Sequence, residues 1–275
     1  MNTHPITVTA LHTYPIKSAR GVSLLESKVG AYGLDLDRHW MVVDAQRRGV
    51  TGRQFPRLTL IEITLEPRGL GLSAPGMPDI LVSYEPLGEV GPITLWTQPL
   101  EAAEVSVEVS EWFSSYLGGA FKLVKFAERS SRRMNPEYGV APLSFPDGNP
   151  IHLLSESSLI DLNSRLALPV TALRFRPNIV VYGSKPFAED GWQRVVLGTL
   201  ECDVVEATAR CGMVNITHGQ MMPEPLRTLA RYRRSGRKVL FGQNLVHVQQ
   251  GFLSVGDEVQ VLEVGAGNAV GRVSL

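Results

Sequence analysis

Short segments in which apolar and polar residues alternate make up most of this chain. Alternation with a period of two places the apolar side chains on one face of a β-strand, as in a half-buried sheet. Gly, Pro and Asp separate the segments at spacings typical of barrels and sandwiches. Strands are predicted within residues 6–16, 22–30, 39–45, 58–66, 80–84, 91–96, 121–126, 178–183, 194–207, 239–250 and 257–264.

Three segments have a helical pattern instead. The first, 109–118, begins at Ser110 and ends at a glycine; the second, 155–168, has Ser155 as its N-cap; the third, 223–236, has prolines at its start and Gly236 at its end. Strands do not alternate regularly with helices, which disfavours a parallel βαβ fold. The pattern predicts a mainly β protein of the α+β class with a few short helices.

The stretch 127–150 is polar, rich in Pro and Gly, and has no clear period. It is typical of a domain linker or a long functional loop. We therefore divide the chain into two domains, residues 1–125 and 126–275. Near the end, 265-GAGNAVG-271 looks like a dinucleotide-binding loop, but such a loop needs a helix after it. Only four residues follow, so a tail is predicted there.

Charge and cysteine content narrow the classes of function. Lys and Arg number 27, as do Asp and Glu, so the net charge predicts neither a nucleic-acid nor a membrane partner. Cys202 and Cys211 are too few for a disulfide framework or a four-cysteine metal site. The start of the chain does not have the pattern of a signal peptide, and no run of about eighteen apolar residues occurs. We expect a cytoplasmic protein without a membrane segment.

An anion-binding face is predicted in 173-LRFRPNIVVYG-183. Residues two apart share one face of an extended chain, which places Arg174, Arg176 and Asn178 together. Two guanidinium groups beside an amide suit a phosphate or a carboxylate. An ordinary solvated sheet face has the same pattern, and the residues alone do not separate the two.

Turns near the start offer further groups for an anion. Lys17 and Ser18 follow a strand and enter a turn, where an ammonium, a hydroxyl and backbone N–H groups can surround an anion. Arg38 precedes a buried strand, and either pairs with a neighbouring aspartate or faces a ligand. The loop 51–58 adds Arg53. Ordinary polar turns are the alternative for each segment.

The two cysteines have different surroundings. Cys202 alternates with apolar residues as a core residue does, whereas Cys211 follows a strand end, between Arg210 and Gly212. A neighbouring cation favours the thiolate, which is the form that attacks or binds metal. One thiolate suits a soft metal whose other ligands come from a cofactor. With His218 seven residues on, a Cys–His nucleophile is the alternative.

A basic segment, 226-LRTLARYRRSGRK-238, follows. Such a run is usually a solvated helix face. It can instead contact an anionic cofactor or an acidic redox partner.

Several motifs occur together in one order: YPIKS, GLDLDRHW, TGRQFPRL, LLSESSLIDLN, RFRPNIVV, PFAEDGW, ARC and LFGQNL. With them the chain resembles the MOSC superfamily, in particular the group with an added MOSC N-terminal β-barrel domain, which includes the amidoxime-reducing components. The resemblance spans about residues 6 to 263. It implies a smaller N-terminal β-barrel domain and a cofactor-binding MOSC β-barrel domain.

The resemblance also implies a molybdenum cofactor, a metal held by the dithiolene of a pterin that carries a phosphate. Cys211 would be the protein's ligand to the metal, and His218 is a candidate proton donor. The residues carried over as cofactor-binding are Lys17, Ser18, Arg38, Asn149, Ser155, Arg174, Arg176, Asn178 and Arg210. A pyridoxal phosphate is a weaker suggestion of the family, since none of the lysines has a context that suits a Schiff base.

The expected function is reduction of N-hydroxylated, or otherwise N- or S-oxygenated, small molecules. Two cysteines cannot hold a four-cysteine cluster, so the electrons are expected from a separate electron-transfer protein or a small reductant. Thr208 and Ala209 stand where many relatives have Cys-Ser, which leaves the substrate range open. The alternatives are a carrier of persulfide sulfur or of the cofactor that uses Cys211, and a non-catalytic β-barrel that binds an anion.

Overall fold

The structure is a computed structural model that describes residues 5–265 and contains mostly β-strands. The strands are β1 (Ile6–Thr13), β2 (Val22–Leu24), β3 (Glu26–Gly30), β4 (Gly33–Leu34), β5 (Trp40–Asp44), β6 (Glu62–Glu66), β7 (Gly69–Ser73), β8 (Ile80–Ser83), β9 (Val90–Leu95), β10 (Gln98–Glu104), β11 (Phe121–Phe126), β12 (Ile151–Ser155), β13 (Ile179–Tyr182), β14 (Trp192–Leu197), β15 (Leu200–Ala209), β16 (Ile216–Thr217), β17 (Gln220–Met221), β18 (Arg234–Ser235), β19 (Lys238–His247), β20 (Gly251–Ser254) and β21 (Glu258–Val264). The α-helices are α1 (Val107–Leu117), α2 (Glu156–Asn163) and α3 (Leu226–Leu229). Short 3₁₀ turns occur at Pro56–Leu60, Ala172–Phe175, Ala188–Gly191 and Gly212–Asn215. The predicted mainly β class is confirmed.

Seven strands close into a barrel in the order β12-β13-β1-β21-β14-β15-β19, and β19 pairs back with β12. Only the β12–β13 pair is parallel among these neighbours. The alternating side chains of the strands fill the interior, where Val8, Leu11, Ile179, Val195 and Leu245 are all buried. Closure pairs each of the seven barrel strands on both sides, which is one way in which a β protein protects its edge strands, and the short strands β2 and β18 add to β1 and β19.

A second sheet, β5-β11-β10-β9, lies outside the barrel and is covered on both faces. Strand β5 reads Trp-Met-Val-Val-Asp. It places Trp40 and Val42 in one apolar cluster and Met41 and Val43 in another. A continuous apolar run is what a strand buried on both faces requires. Helix α1 covers one of these faces with Phe113. The three-stranded sheets β6-β7-β8 and β20-β3-β4 complete the fold.

Hydrogen-bonded pairs connect the start of the chain to its C-terminal half. Strand β1 lies between β13 and β21 in the barrel, and β3 pairs with β20. The N-terminal residues therefore form part of the barrel that the C-terminal half builds. The domain division at residue 125 stays a prediction, and it does not coincide with a boundary between sheets.

Two of the predicted helices form, with different ends. Helix α1 begins at Val107, and its N-cap is Ser106, whose Oγ accepts from Val109 N at 3.2 Å. The predicted first residue, Ser110, is buried inside the helix, where its hydroxyl donates to Glu104. Helix α2 does follow Ser155, but it ends at Asn163. The partners of the Ser110 and Ser155 hydroxyls, Glu104 and Ser184, lie outside the helices, which is why the helical period alone does not reveal the caps.

The third predicted helix was wrong for most of its length. Only Leu226–Leu229 are helical, and Arg234–Ser235 form a small hairpin with β19. Gly236 has a φ of 55°, so it makes a left-handed hairpin turn rather than a helix end. Arg233 points inward and pairs with Asp190 at 2.7 Å, so it does not belong to the solvated helix face that the sequence predicted.

No helix within residues 5–265 has the length and apolar character needed to span a bilayer. The glycine loop noted at 265–271 lies outside the described residues, apart from Gly265.

Candidate functional site

A cavity of about 350 Å³ opens where the barrel meets the second sheet. Strand ends point into it: β1 and β15 end at it, and β5, β12 and β13 begin beside it. Eight of the residues predicted from the sequence line this cavity: Lys17, Ser18, Arg38, Asn149, Arg176, Asn178, Arg210 and Cys211. The fold thus joins segments that are far apart in the sequence.

Asn178 ties two sides of the cavity together. Its Oδ1 accepts from Arg38 Nη1 and from His152 N, each at 3.1 Å, and its Nδ2 donates to the carbonyl of His12. The side chain is buried and most of its hydrogen-bonding capacity is used within the protein. Asn178 therefore holds Arg38 in place. The Asn178 amide, which was predicted to face an anion, is used in this contact instead.

Two guanidinium groups lie against one buried tyrosine. The Cζ atoms of Arg38 and Arg176 are 4.5 and 4.3 Å from the centre of the Tyr14 ring. Such cation–π contacts hold cations at a partly desolvated position. Burial, with a smaller effect from Arg38, lowers the pKa of Arg176 to about 10, so it stays protonated at neutral pH. The side chain of Arg38 makes three hydrogen bonds to described residues and that of Arg176 makes one, which leaves N–H donors on both for a ligand.

The backbone at three of these residues is in the left-handed region. Ser18, Arg38 and Arg176 have φ values of 73°, 53° and 56°. A residue with a Cβ in this region is disfavoured by about 1–2 kcal/mol, and such positions cluster at binding sites. All three line the cavity, and the turns direct their side chains to it.

Lys17 is buried and forms an ion pair at the cavity wall. Its Nζ donates to the carbonyl of Phe145 at 2.8 Å and to Asp147 Oδ1 at 2.6 Å. Burial lowers the pKa of Lys17, whereas Lys17 lowers the pKa of Asp147 to about 2. The Asp147 side chain is 71% exposed, so water screens the pair and it adds little to stability. The contact orients the ammonium group of Lys17.

Cys211 lies two residues after the end of β15 and lines the cavity. It is half-buried and precedes the 3₁₀ turn Gly212–Asn215. No cluster of three or more His, Cys, Asp or Glu side chains suitable for a metal occurs among the described residues. A metal bound at Cys211 would therefore need most of its ligands from outside the described residues. Cys202, by contrast, is fully buried in the barrel core, and burial raises the pKa of its thiol.

His152 anchors the arginine that precedes this cysteine. Arg210 donates from Nη2 to the carbonyl of Phe175 at 2.6 Å, and its Nη1 lies 3.1 Å from His152 Nε2. An arginine has no acceptor, so Nε2 must accept, and Nδ1 carries the proton toward the carbonyl of Gln243 at 3.1 Å. Burial, and then Arg210, lower the pKa of His152 well below its ordinary value. His152 is thus a neutral ring with one tautomer favoured.

The cavity has an excess of positive charge and buried polar atoms without partners. Its lining includes the carboxylates Asp147 and Glu206, and five cations: Lys17, Arg38, Arg53, Arg176 and Arg210. Asn149 Oδ1 and Arg210 Nε are buried without a hydrogen bond. Buried polar atoms are normally satisfied, so these two indicate a polar ligand. An anionic group with both donors and acceptors fits this lining.

Three predicted site residues do not line the cavity. Ser155 is fully buried and contacts Ser184 Oγ at 3.3 Å. Arg174 donates to the carbonyl of Ile216 and to Thr217 Oγ1. His218 is exposed in the β16–β17 turn. The shared face predicted for Arg174, Arg176 and Asn178 was wrong, because Ala172–Phe175 form a 3₁₀ turn and Arg176 reverses the chain direction after it.

Several residues that line the cavity were not selected from the sequence. His152 lies within an apolar strand and reads as a core position, and Asp147 lies in an ordinary Pro-Asp-Gly turn. Thr51 and Trp96 come from the N-terminal half, with Arg53, which was noted only as part of a loop. The Arg53 Cζ lies 4.9 Å from the centre of the half-exposed Trp96 ring. Thr51 and Arg53 belong to the motif TGRQFPRL, whereas no motif of the sequence analysis contains Asp147, His152 or Trp96, which only the closed fold brings to the cavity.

Comparisons with known proteins cover both walls of this cavity. The MOSC N-terminal beta barrel domain matches residues 5–120, and the MOSC domain matches residues 141–260. Mitochondrial amidoxime reducing component 2 of Rattus norvegicus is 36% identical, over 92% of this chain and 82% of its own length. Mitochondrial amidoxime-reducing component 1 of Homo sapiens is 35% identical, over 93% and 83%. The solved YuaD protein from Bacillus subtilis aligns with a TM-score of 0.43 at 9% identity, over 93% of this chain and 94% of its own.

Proposed function

Because the chain belongs to the MOSC family that includes the mitochondrial amidoxime-reducing components, we propose that it is a molybdenum-cofactor-dependent reductase. Its substrates would be N-hydroxylated, or otherwise N- or S-oxygenated, small molecules. One observation carries the proposal: a single accessible thiol, Cys211, lies in a cavity whose charged side chains are mostly cationic. A thiolate for a soft metal and cations for a phosphate are the two needs of a molybdenum–pterin cofactor.

The residues present fit such a cofactor. Cys211 would give the one protein sulfur, while the dithiolene of the pterin supplies the other sulfur ligands. Arg38 and Arg176 would hold the phosphate with the N–H groups that the protein leaves unused. Asn149 Oδ1 and Arg210 Nε would find their missing partners on the pterin ring or its phosphate. When bound, the cofactor would supply oxygen-atom acceptance and two-electron chemistry that no side chain offers.

Asp147 and His152 would hold neighbouring cationic side chains in place rather than donate protons. Asp147, with a pKa of about 2, stays ionised at neutral pH and balances Lys17. His152 has its Nδ1 proton directed at a carbonyl and its Nε2 lone pair at Arg210, so it fixes the arginine beside Cys211. His218 lies outside the cavity, which removes the basis for assigning it as the proton donor.

The N-terminal half would form the substrate side of the cavity. Thr51, Arg53 and Trp96 line it across from the barrel residues. Electrons would come from a separate donor, because the described residues offer no cluster of ligands for a built-in metal centre. The cytoplasmic location remains a prediction.

Metal analysis tests the role of Cys211. The wild type, expressed in a host that makes the cofactor, is expected to contain close to one molybdenum per chain by mass spectrometry. Cys211→Ala should lose most of the metal, because the only protein sulfur ligand is removed. Cys202→Ala is the matched control, since it removes the other thiol from the barrel core and leaves the cavity intact.

Each outcome has a distinct meaning. Full molybdenum content in Cys211→Ala would show that the thiol is not a ligand. A wild type without molybdenum would favour the carrier alternative, in which Cys211 takes a persulfide, and mass spectrometry of the intact protein would then be expected to show added sulfur on that residue.

A further inference from the structure

A second groove, of about 520 Å³, lies near the wall of the cavity that contains Cys211. Its apolar floor comprises Pro223, Leu226, Ala230 and Val239, and three arginines form its rim: Arg227, Arg231 and Arg234. We call it the basic groove. An apolar floor inside a charged rim is the usual anatomy of a protein–protein contact.

The rim of the basic groove belongs to a segment with several exposed cations. Five exposed cations lie within residues 227–238, although positive and negative residues balance over the whole sequence. Two of them are paired, Arg227 with Glu224 and Lys238 with Glu206. Arg231, Arg234 and Arg237 take part in no ion pair with any described residue. A positive patch of this kind steers an acidic partner to the surface.

The groove and the cavity share two backbone segments. In the turn that follows Cys211, Val214 lines the cavity and the next residue, Asn215, lines the groove. On the adjacent strand, the carbonyl of Val239, a floor residue, accepts from Arg210 N at 2.7 Å. A protein bound in the groove would therefore be separated from the Cys211 side of the cavity by a thin layer of backbone.

The side chain of Asn215 holds this layer in place. Its Nδ2 donates to the carbonyl of Pro223 at 3.2 Å, and its Oδ1 accepts from Leu226 N at 3.0 Å. The floor of the groove and the turn after Cys211 are thus fixed to each other.

We propose that the basic groove is the docking surface for an acidic electron-transfer protein, and this rests on the reductase function proposed above. Reduction of an N-hydroxylated substrate breaks the N–O bond, consumes two electrons and two protons, and releases the amine or amidine and water. A reduced one-electron carrier of acidic surface supplies the electrons in two dockings. Opposite charges raise the association rate, and two successive dockings require a complex that also dissociates quickly.

Electron supply by two donors tests the groove. Reduction of benzamidoxime is measured with an acidic plant-type [2Fe–2S] ferredoxin, kept reduced enzymatically, and separately with reduced methyl viologen. In the double variant Arg231→Glu with Arg234→Glu, we expect kcat/KM for ferredoxin to fall roughly tenfold or more, mainly through KM, since the steering charges are reversed. Turnover with viologen should stay within about twofold, because this small cation needs no docking surface.

A control variant makes the same change in net charge at positions on other sheets, away from the basic groove. Lys28→Glu with Arg68→Glu replaces two exposed cations, one in β3 and one before β7, and should leave the ferredoxin rate near that of the wild type. The proposal is wrong if the wild type turns over with viologen but not with ferredoxin, or if both double variants lose the same fraction of the ferredoxin rate. A wild type that fails with viologen as well would instead count against the reductase function.

Discussion

The arginines of the cavity and those of the basic groove are the same residue type in opposite settings. Arg38 and Arg176 lie against Tyr14 and are tied to backbone carbonyls by hydrogen bonds. Arg231 and Arg234 are exposed at the rim of the groove, and neither takes part in an ion pair with a described residue. The first pair is held in one geometry, whereas the second is free to adjust.

This difference shows what each surface can recognise. A desolvated, fixed guanidinium group loses little entropy when it binds, so it discriminates by shape and suits a small anion held for the life of the protein. A solvated guanidinium group acts through its field over a distance of about a Debye length, roughly 8–10 Å, and suits a partner that comes and goes. Fixed charge thus favours retention, and mobile charge favours exchange.

The largest effect is expected from a substitution that removes one of the fixed charges of the cavity. Arg176→Ala should weaken cofactor retention by about a hundredfold or more, since charge-assisted hydrogen bonds of about 1.5–3 kcal/mol each are lost. Molybdenum content after gel filtration measures this. Arg234→Ala in the basic groove should keep the wild-type content, and Arg176→Lys, which keeps the charge without the planar fork, should give an intermediate value. Equal metal contents in all three variants would remove the distinction between the two sets of arginines.

A buried carboxyl outside the cavity lining, that of Glu189, gives the next largest effect. Burial raises the pKa of Glu189 to about 7 from an ordinary 4.5. The folded protein therefore keeps this proton at pH values where the unfolded chain has released it, so stability falls between about pH 4.5 and 7 and stays low above that. Glu189→Gln has no such proton and can still accept from Ser158 Oγ. At pH 8 it should be more stable than the wild type by on the order of 3 kcal/mol, and this advantage should shrink at pH 5.

Thermal unfolding at the two pH values measures the effect of Glu189→Gln. The exposed Glu111→Gln controls for the loss of one carboxylate. A stability difference between Glu189→Gln and the wild type that does not vary with pH would contradict the assignment.

The smallest expected effect comes from backbone turns. The cavity uses Ser18 at a left-handed position, whereas the hairpin beside the basic groove uses Gly236. Ser18→Gly should therefore stabilise the fold by roughly 1 kcal/mol, and Gly236→Ala should destabilise it by a similar amount. A Cβ at Gly236 meets nothing within 4 Å, so only the φ angle contributes there. Denaturant unfolding of both variants gives the two signs. Loss of stability in Ser18→Gly would show that the left-handed backbone at Ser18 is not a net cost to the fold.

The elements that could be predicted from the sequence are those that depend on neighbouring residues along the chain. Alternation located the barrel strands except β12, with β14 and β15 in one predicted segment. The different surroundings of Cys202 and Cys211 indicated a core residue and an accessible thiol. The helix predicted over 223–236 failed because Arg233 turns inward to Asp190, a contact that depends on the closed fold. The prediction that Arg174 lies at the site failed for a similar reason. The chain turns at Arg176, which adopts the left-handed region, and nothing in the sequence marks a non-glycine residue for that conformation. His152 and Asp147 became recognisable as site residues only when strands distant in sequence met.

The position of β1 in the barrel has a consequence for how the protein is made. The first strand of the chain pairs with β21, near the end of the described residues, through Ile6 and Val259. During synthesis β1 leaves the ribosome long before β21. The part of β1 that pairs with β21 must therefore wait until nearly the whole chain has emerged, although β2 and β13 can pair with β1 earlier. Pairings so distant in sequence form slowly and leave an apolar strand exposed meanwhile. Since β1 leads directly into Lys17 and Ser18, the barrel and its cavity are completed together, at the end of folding.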